Sequence, residues 1–259
     1  MKKSHKVSDL FFTSWKDLQD RPRIHAEVYG LNLQIKQTDR AKPEYGYQLI
    51  AILRRLRKNL KLVDKINEVQ AVDIFNDLTF LDEPWYHFPV RKIKAGKLNL
   101  VGPDEHMARH SFDHFIYADN EFTRSMTDGG SIHYIRRLAA TLYKHQGETT
   151  LDRESVDDRV IDMKVQDWEL QLIAATFGHI RGFITKRCKH LMPAPVKPEG
   201  QDEHQVQPTG PMWQTLKHRL AETPAFQGFD KAGSANIYDC LDYLEDLAKT
   251  QSRKNVNAA

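Results

Sequence analysis

Special-purpose residues are scarce in this chain, and each scarcity removes a class of function. Only two cysteines occur, Cys188 and Cys240. Neither stands in a CxxC, so no zinc signature and no disulfide framework is written here, and the plain reading is two reduced, partly buried thiols. Nowhere do eighteen apolar residues run together, so no membrane-spanning helix is expected. Lys2, Lys3 and Lys6 begin the chain, but Asp9 and Lys16 interrupt any signal-peptide core and no small-residue cleavage site follows, which points to the cytoplasm. There is no GxxxxGK[ST], no GxGxxG after a strand, no GxSxG and no HExxH. The acids Asp152, Glu154, Asp157, Asp158 and Asp162 lack the residue pattern of an EF-hand loop. With 38 basic and 35 acidic residues the net charge is only +3, so the clustering of charge matters more than its sum. No catalytic residue, cofactor or metal follows from these patterns, and a non-enzymatic protein is expected.

Apolar periodicity is what the chain has in quantity. A hydrophobic content of 40% suffices for a core, and 28% charged residues suits a solvated surface. Residues 111–144 read as two helices around the pair Gly129-Gly130. Phe112, Phe115, Ile116, Asp119, Phe122 and Met126 recur at helical spacing before the pair, and Ile132, Ile135, Leu138, Ala139, Leu142 and Tyr143 after it. Each stripe needs covering, which makes this pair the centre of a helical packing unit. Earlier, Ser8 or Asp9 can cap a short helix bearing Phe11, Trp15 and Leu18. Residues 24–38 fit both periods; the helical neighbourhood favours helix over strand. An amphipathic helix is expected over 45–65, with Leu49, Ile52, Leu53, Leu56, Leu60 and Val63 buried, and another over 66–78. Residues 167–192 form the longest helix candidate. VRKIKAGKLNLV is the one plausible hairpin, turning at Ala95-Gly96 with its Lys and Arg residues outward.

The run 193–211, rich in proline and polar residues, reads as a linker. Beyond it lie two short helices, led by Trp213 and by Ile237, whose apolar faces are too large for isolated helices in water. The expected fold class is mainly α: an irregular multi-helix bundle with at most one small β-hairpin, plus a linker-tethered C-terminal helical pair. The expected division is a main helical domain over 1–192, the linker, a C-terminal module over 212–250 that acts in partner contacts, and a disordered tail over 251–259.

Three groups of residues are candidates for a site. Trp85, Tyr86 and Phe88, bracketed by prolines, are a docking surface or a lid on the core. Together with Trp213, Leu241 and Leu244 they are the expected partner-binding residues. Arg54, Lys58, Lys61 and Lys65 would line one face of a continuous helix and could track nucleic-acid phosphates, with Arg91, Lys92, Lys94 and Lys97 as further candidates; the alternative is a solvated helix face. His106, His110 and His114 would share one face if the helix were continuous, a geometry that can hold a metal. Against that, Ser111 can cap a new helix between them, and polar, partly exposed histidines are the plain alternative.

The W-x-x-L segment at Trp15–Leu18, Glu121-Phe122 in the central helix, LAATLY at 138–143 and the Trp-led and Leu-rich helices after the linker (Trp213, Leu241, Leu244, Leu247) together carry a resemblance. In this order they are similar to a group of uncharacterised phage and prophage proteins encoded among head and tail assembly genes. The resemblance implies a structural or assembly role, as a chaperone or connector acting on other virion proteins or on itself, in the host cytoplasm or the virion. It supplies no catalytic residue.

Overall fold

Proline opens each of the first two α-helices, at positions where its missing N–H costs no hydrogen bond. The computed structural model describes residues 11–58, 68–148, 151–191 and 213–257. Its described residues form ten α-helices and a small three-stranded sheet, a mainly α fold. Two compact units make up the chain: one of residues up to Arg91 with Val165–Thr176, the other of Lys92–Lys164 with the residues from Phe177 onward.

In the first unit, a 3-10 helix Trp15–Leu18 precedes α1 (Pro22–Gln37), α2 (Pro43–Leu56) and α3 (Glu68–Asp77). The short helix is capped by Ser14, not by Ser8 or Asp9, which lie outside the described residues; Phe11 instead forms an isolated bridge with Arg57. α1 settles the ambiguity of 24–38 in favour of helix, because His25, Val28, Asn32 and Ile35 are buried at helical spacing. α2 buries Leu49, Ile52, Leu53 and Leu56 as expected, but it ends there: Arg57 is extended, with φ −63° and ψ 136°. A continuous helix to residue 65 is therefore corrected; residues 59–67 lie outside the described ones.

The second unit holds the expected helix pair, α4 (Phe112–Thr127) and α5 (Ile132–Leu142). Gly129 and Gly130 connect them at φ +61° and +84°, where a residue with a Cβ is strained. The stripe on α4 is as read except at its end, where Met126 is 65% exposed. The hairpin is present as β1 (Lys92–Ala95) and β2 (Leu98–Val101), with Ala95 opposite Leu98. Gly96, at φ +59°, makes the turn, and the Asp162 carboxylate lies so close that a Cβ there would approach it to 3.1 Å. A two-residue strand β3 (Met163–Lys164) extends the hairpin to the order β2-β1-β3, fed by α6 (Arg153–Asp162).

α7 (Asp167–Arg187) is the longest helix besides α10; its residues up to Thr176 belong to the first unit and the rest to the second. After it come α8 (Trp213–Ala221), α9 (Phe229–Ser234) and α10 (Ile237–Asn257). The C-terminal segment thus has three helices where two were expected, and helix continues to Asn257 where a disordered tail was expected. The linker positions 193–211 lie outside the described residues.

Candidate binding groove

The residues expected to meet a partner are mostly occupied within the chain. In the first unit Trp85 and Phe88 are 3% and 5% exposed, and Tyr86 is half-buried. The Trp85 indole N–H donates to Thr176 Oγ1 at 2.8 Å, and its ring meets those of Trp15, His25 and Tyr29 at centroid distances of 4.8, 4.6 and 4.9 Å. Of the two roles open to this proline-bracketed cluster, the geometry is that of a lid on the core: the aromatic area is spent inside.

In the second unit Trp213, Leu241 and Leu244 are likewise buried. Trp213 packs edge-on against Phe115 at 4.9 Å, and its N–H donates to Asp119 Oδ2 at 2.9 Å. Asp119 also accepts from Arg181 Nε, so one carboxylate of α4 ties together α7 and α8. Lys217 pairs with Asp113 at 2.6 Å, and backbone bonds from Phe112 to Ala235 and from Ile237 to His110 fasten the last helices to the start of α4. Trp213 thus packs on Phe112 and Phe115 of α4 within the same unit, and Trp213, Leu241 and Leu244 are not on offer at the surface.

The basic stripe is broken. Arg54 is exposed on α2, but Lys58 lies past the helix end with its ammonium 5.6 Å from the Phe12 ring centroid, and Lys61 and Lys65 lie outside the described residues. The helix stop at Leu56 means that Arg54 and Lys58 do not share one helix.

The three histidines are separated too. Ser111 caps α4 by accepting from the His114 N–H, so the helix starts after His110; His106 sits in a 3-10 turn at φ +57° with its ring against Phe183. His110 and His114 are neighbours, with ring centroids 5.8 Å apart, and the Ser111 hydroxyl is 2.7 Å from His114 Nδ1. Burial, with the charges of Lys144, His110 and Arg159, holds the His114 imidazole down at about 3, so it is neutral in the fold. Among the described residues no cluster of three His, Cys, Asp or Glu side chains could hold a metal ion. Burial raises both thiols, Cys188 to about 11 and Cys240 to about 12, which makes them unreactive.

One concave feature of the first unit is open to solvent. It lies between the face of α1 opposite the core and the first turns of α7, has a volume of about 410 Å³, and is lined chiefly by Tyr29, Leu33, Trp168 and Leu172. Leu33 is 43% exposed and Trp168 is half-buried, so both present apolar surface at the mouth. The Tyr29 ring meets that of Trp85 edge-on, which ties one lining residue to the aromatic cluster. Burial raises the Tyr29 phenol above its ordinary value, keeping it neutral. At the rim the Glu27 carboxylate is held between Arg23, at 3.3 Å, and Arg55. Among the described residues no Ser, Cys, His or Lys lines the groove.

In the sequence the groove is overshadowed by the buried stripe of α1, His25, Val28, Asn32 and Ile35. Ala26, Tyr29, Gly30 and Leu33 form a second small-and-apolar stripe at i, i+3, i+4 and i+7, the visible signal that this helix has two covered or coverable faces.

The chain was compared with models of protein families, with characterised proteins and with solved structures. It matches none of them. Among the described residues no helix is long and apolar enough to cross a membrane.

Proposed function

We propose that this protein works through protein–protein contacts, as a structural or assembly factor of phage type, and that the groove of its first unit is where it holds a partner. The observation that carries this reading is the pairing of exposed apolar surface with a preformed cavity: Leu33 and Trp168 at the mouth of a space of about 410 Å³ also lined by Tyr29 and Leu172. A site of that size accepts one or two anchoring side chains, and anchors in desolvated pockets dominate binding energy. Filling it with a leucine- or phenylalanine-sized group is worth about 1.5–3 kcal/mol. The occupant that fits is a short segment of another virion or assembly protein with an apolar anchor, and the predominance of apolar side chains in the lining favours holding such an anchor.

The test is co-expression with the proteins encoded by flanking genes, followed by pull-down. The wild-type chain should retain at least one of them, and Leu33→Asp should lose it while its melting temperature stays within a few degrees. Equal retention by both chains, or retention of no neighbour by the wild type, overturns the proposal.

A further inference from the structure

The small sheet of the second unit has two chemically opposite faces. Ile93, Ala95, Leu100 and Met163 point inward, all 4% exposed or less. Residues directly opposite across a ladder share a face. Lys94 lies opposite both Asn99 on β2 and Lys164 on β3, and Lys92, two residues back, lies opposite Val101. One outward face therefore carries Lys92, Lys94 and Lys164, with Asn99 beside them and Lys97 in the adjoining turn, all exposed. Strand geometry puts Lys92 and Lys94 about 7 Å apart, and neighbouring strands about 5 Å apart. No ion pair reaches any of these four lysines among the described residues; the Asp162 carboxylate lies against Gly96 in the hairpin turn.

Like charges directly opposite each other oppose sheet pairing. Lysine on an edge strand guards against unwanted strand addition, which accounts for Lys164. It does not account for Lys94, which is paired on both sides of β1, whereas β3 does not reach Lys92. The repulsion between Lys94 and Lys164, directly opposite each other, is relieved by a ligand that brings several negative charges to a flat surface.

We infer that this face binds nucleic acid, with Lys92, Lys94 and Lys164 contacting backbone phosphates. A duplex presents a charge every ~1.7 Å of its axis, dense enough to oppose all three ammonium groups at once. The face has no aromatic side chain to stack on a base, so the contact reads charge and not sequence. It also lacks the large apolar anchors by which a basic surface holds to a membrane, Val101 being the one apolar side chain on it.

The experiment is fluorescence-anisotropy titration of a labelled mixed-sequence duplex with the full chain, between about 50 and 200 mM salt. Three lysine–phosphate contacts contribute about 2.7 to the slope of log affinity against log salt, roughly 40-fold over that range. The variant K92Q/K94Q/K164Q should lose that increment and bind all sequences equally weakly, while K92R/K94R/K164R should keep it. The arginine variant also guards against a neutral variant that fails to fold. No duplex binding at the lowest salt, an unchanged slope in the neutral variant, or binding to phosphatidylserine vesicles in preference to the duplex would each overturn the inference.

Discussion

His114 and Asp119 show opposite ways of keeping an ionisable group inside one helix. His114 is fully buried and stays neutral because protonation would set a cation among Lys144, His110 and Arg159 without water. Its folded value lies near 3 against 6.5 for the free group, so the unfolded chain takes up a proton first as the pH falls. Stability from this group is complete above pH 6.5 and is lost between there and about pH 3, at up to ~1.4 kcal/mol per pH unit. Urea titrations at successive pH values should give His114→Asn a slope smaller than the wild type's by one proton across that window. Asp119, by contrast, is held by partners: its carboxylate accepts from the Arg181 guanidinium and from the Trp213 indole N–H. Asp119→Asn should cost roughly 2 kcal/mol, and Trp213→Phe, which loses only the N–H, roughly 1. A double-mutant cycle by denaturant unfolding should show the two losses coupled, not additive. Asp119 was legible as an oddity, an acid standing in an apolar stripe. Its partners come from 62 and 94 residues further along, and spacing within one helix says nothing of those.

Elements were easier to read than their ends and covers. α4, α5 and the hairpin lie where periodicity and glycine put them, because the two-glycine break and the alternation of Ile93, Ala95 and outward lysines are local signals. α2 stops short because Arg57 turns extended, placing Phe12 N–H against the Leu56 carbonyl, a long-range bond invisible to a helical pattern. The C-terminal helices were recognisable as amphipathic, but amphipathicity says only that a face needs a cover. The choice between this chain and a partner depends on long-range contacts such as Trp213 on Phe115 and Lys217 on Asp113. That packing has a direct consequence. A chain truncated after residue 191 uncovers Phe112, Phe115 and Ile116, each 4% exposed or less in the intact fold. Burying such side chains is worth about 1.5–3 kcal/mol apiece, a large share of a domain's net stability. The truncated chain should lose its cooperative second-unit melting and bind a hydrophobic dye; an unaltered transition in calorimetry would show the helices to be dispensable.

For the molecule as a whole, the account places partner contact in the first unit and polyanion contact in the second. Each rests on surface left over after packing has claimed the more conspicuous residues. Trp85, Phe88, Trp213, Leu241 and Leu244 are the strongest apolar signals in the chain and are interior; Leu33 and Trp168 are weaker signals and line the open groove. The most direct measurement is site-specific photocrosslinking, with a photoreactive phenylalanine at position 33 and, as control, at position 161. Ile161 is 81% exposed and lies in the second unit, so indiscriminate stickiness would favour it over Leu33 at 43%. With the proteins encoded by flanking genes co-expressed, position 33 should yield one discrete crosslinked partner and position 161 none. Crosslinks at 161 alone, at both positions equally, or at neither would contradict the groove as the partner site.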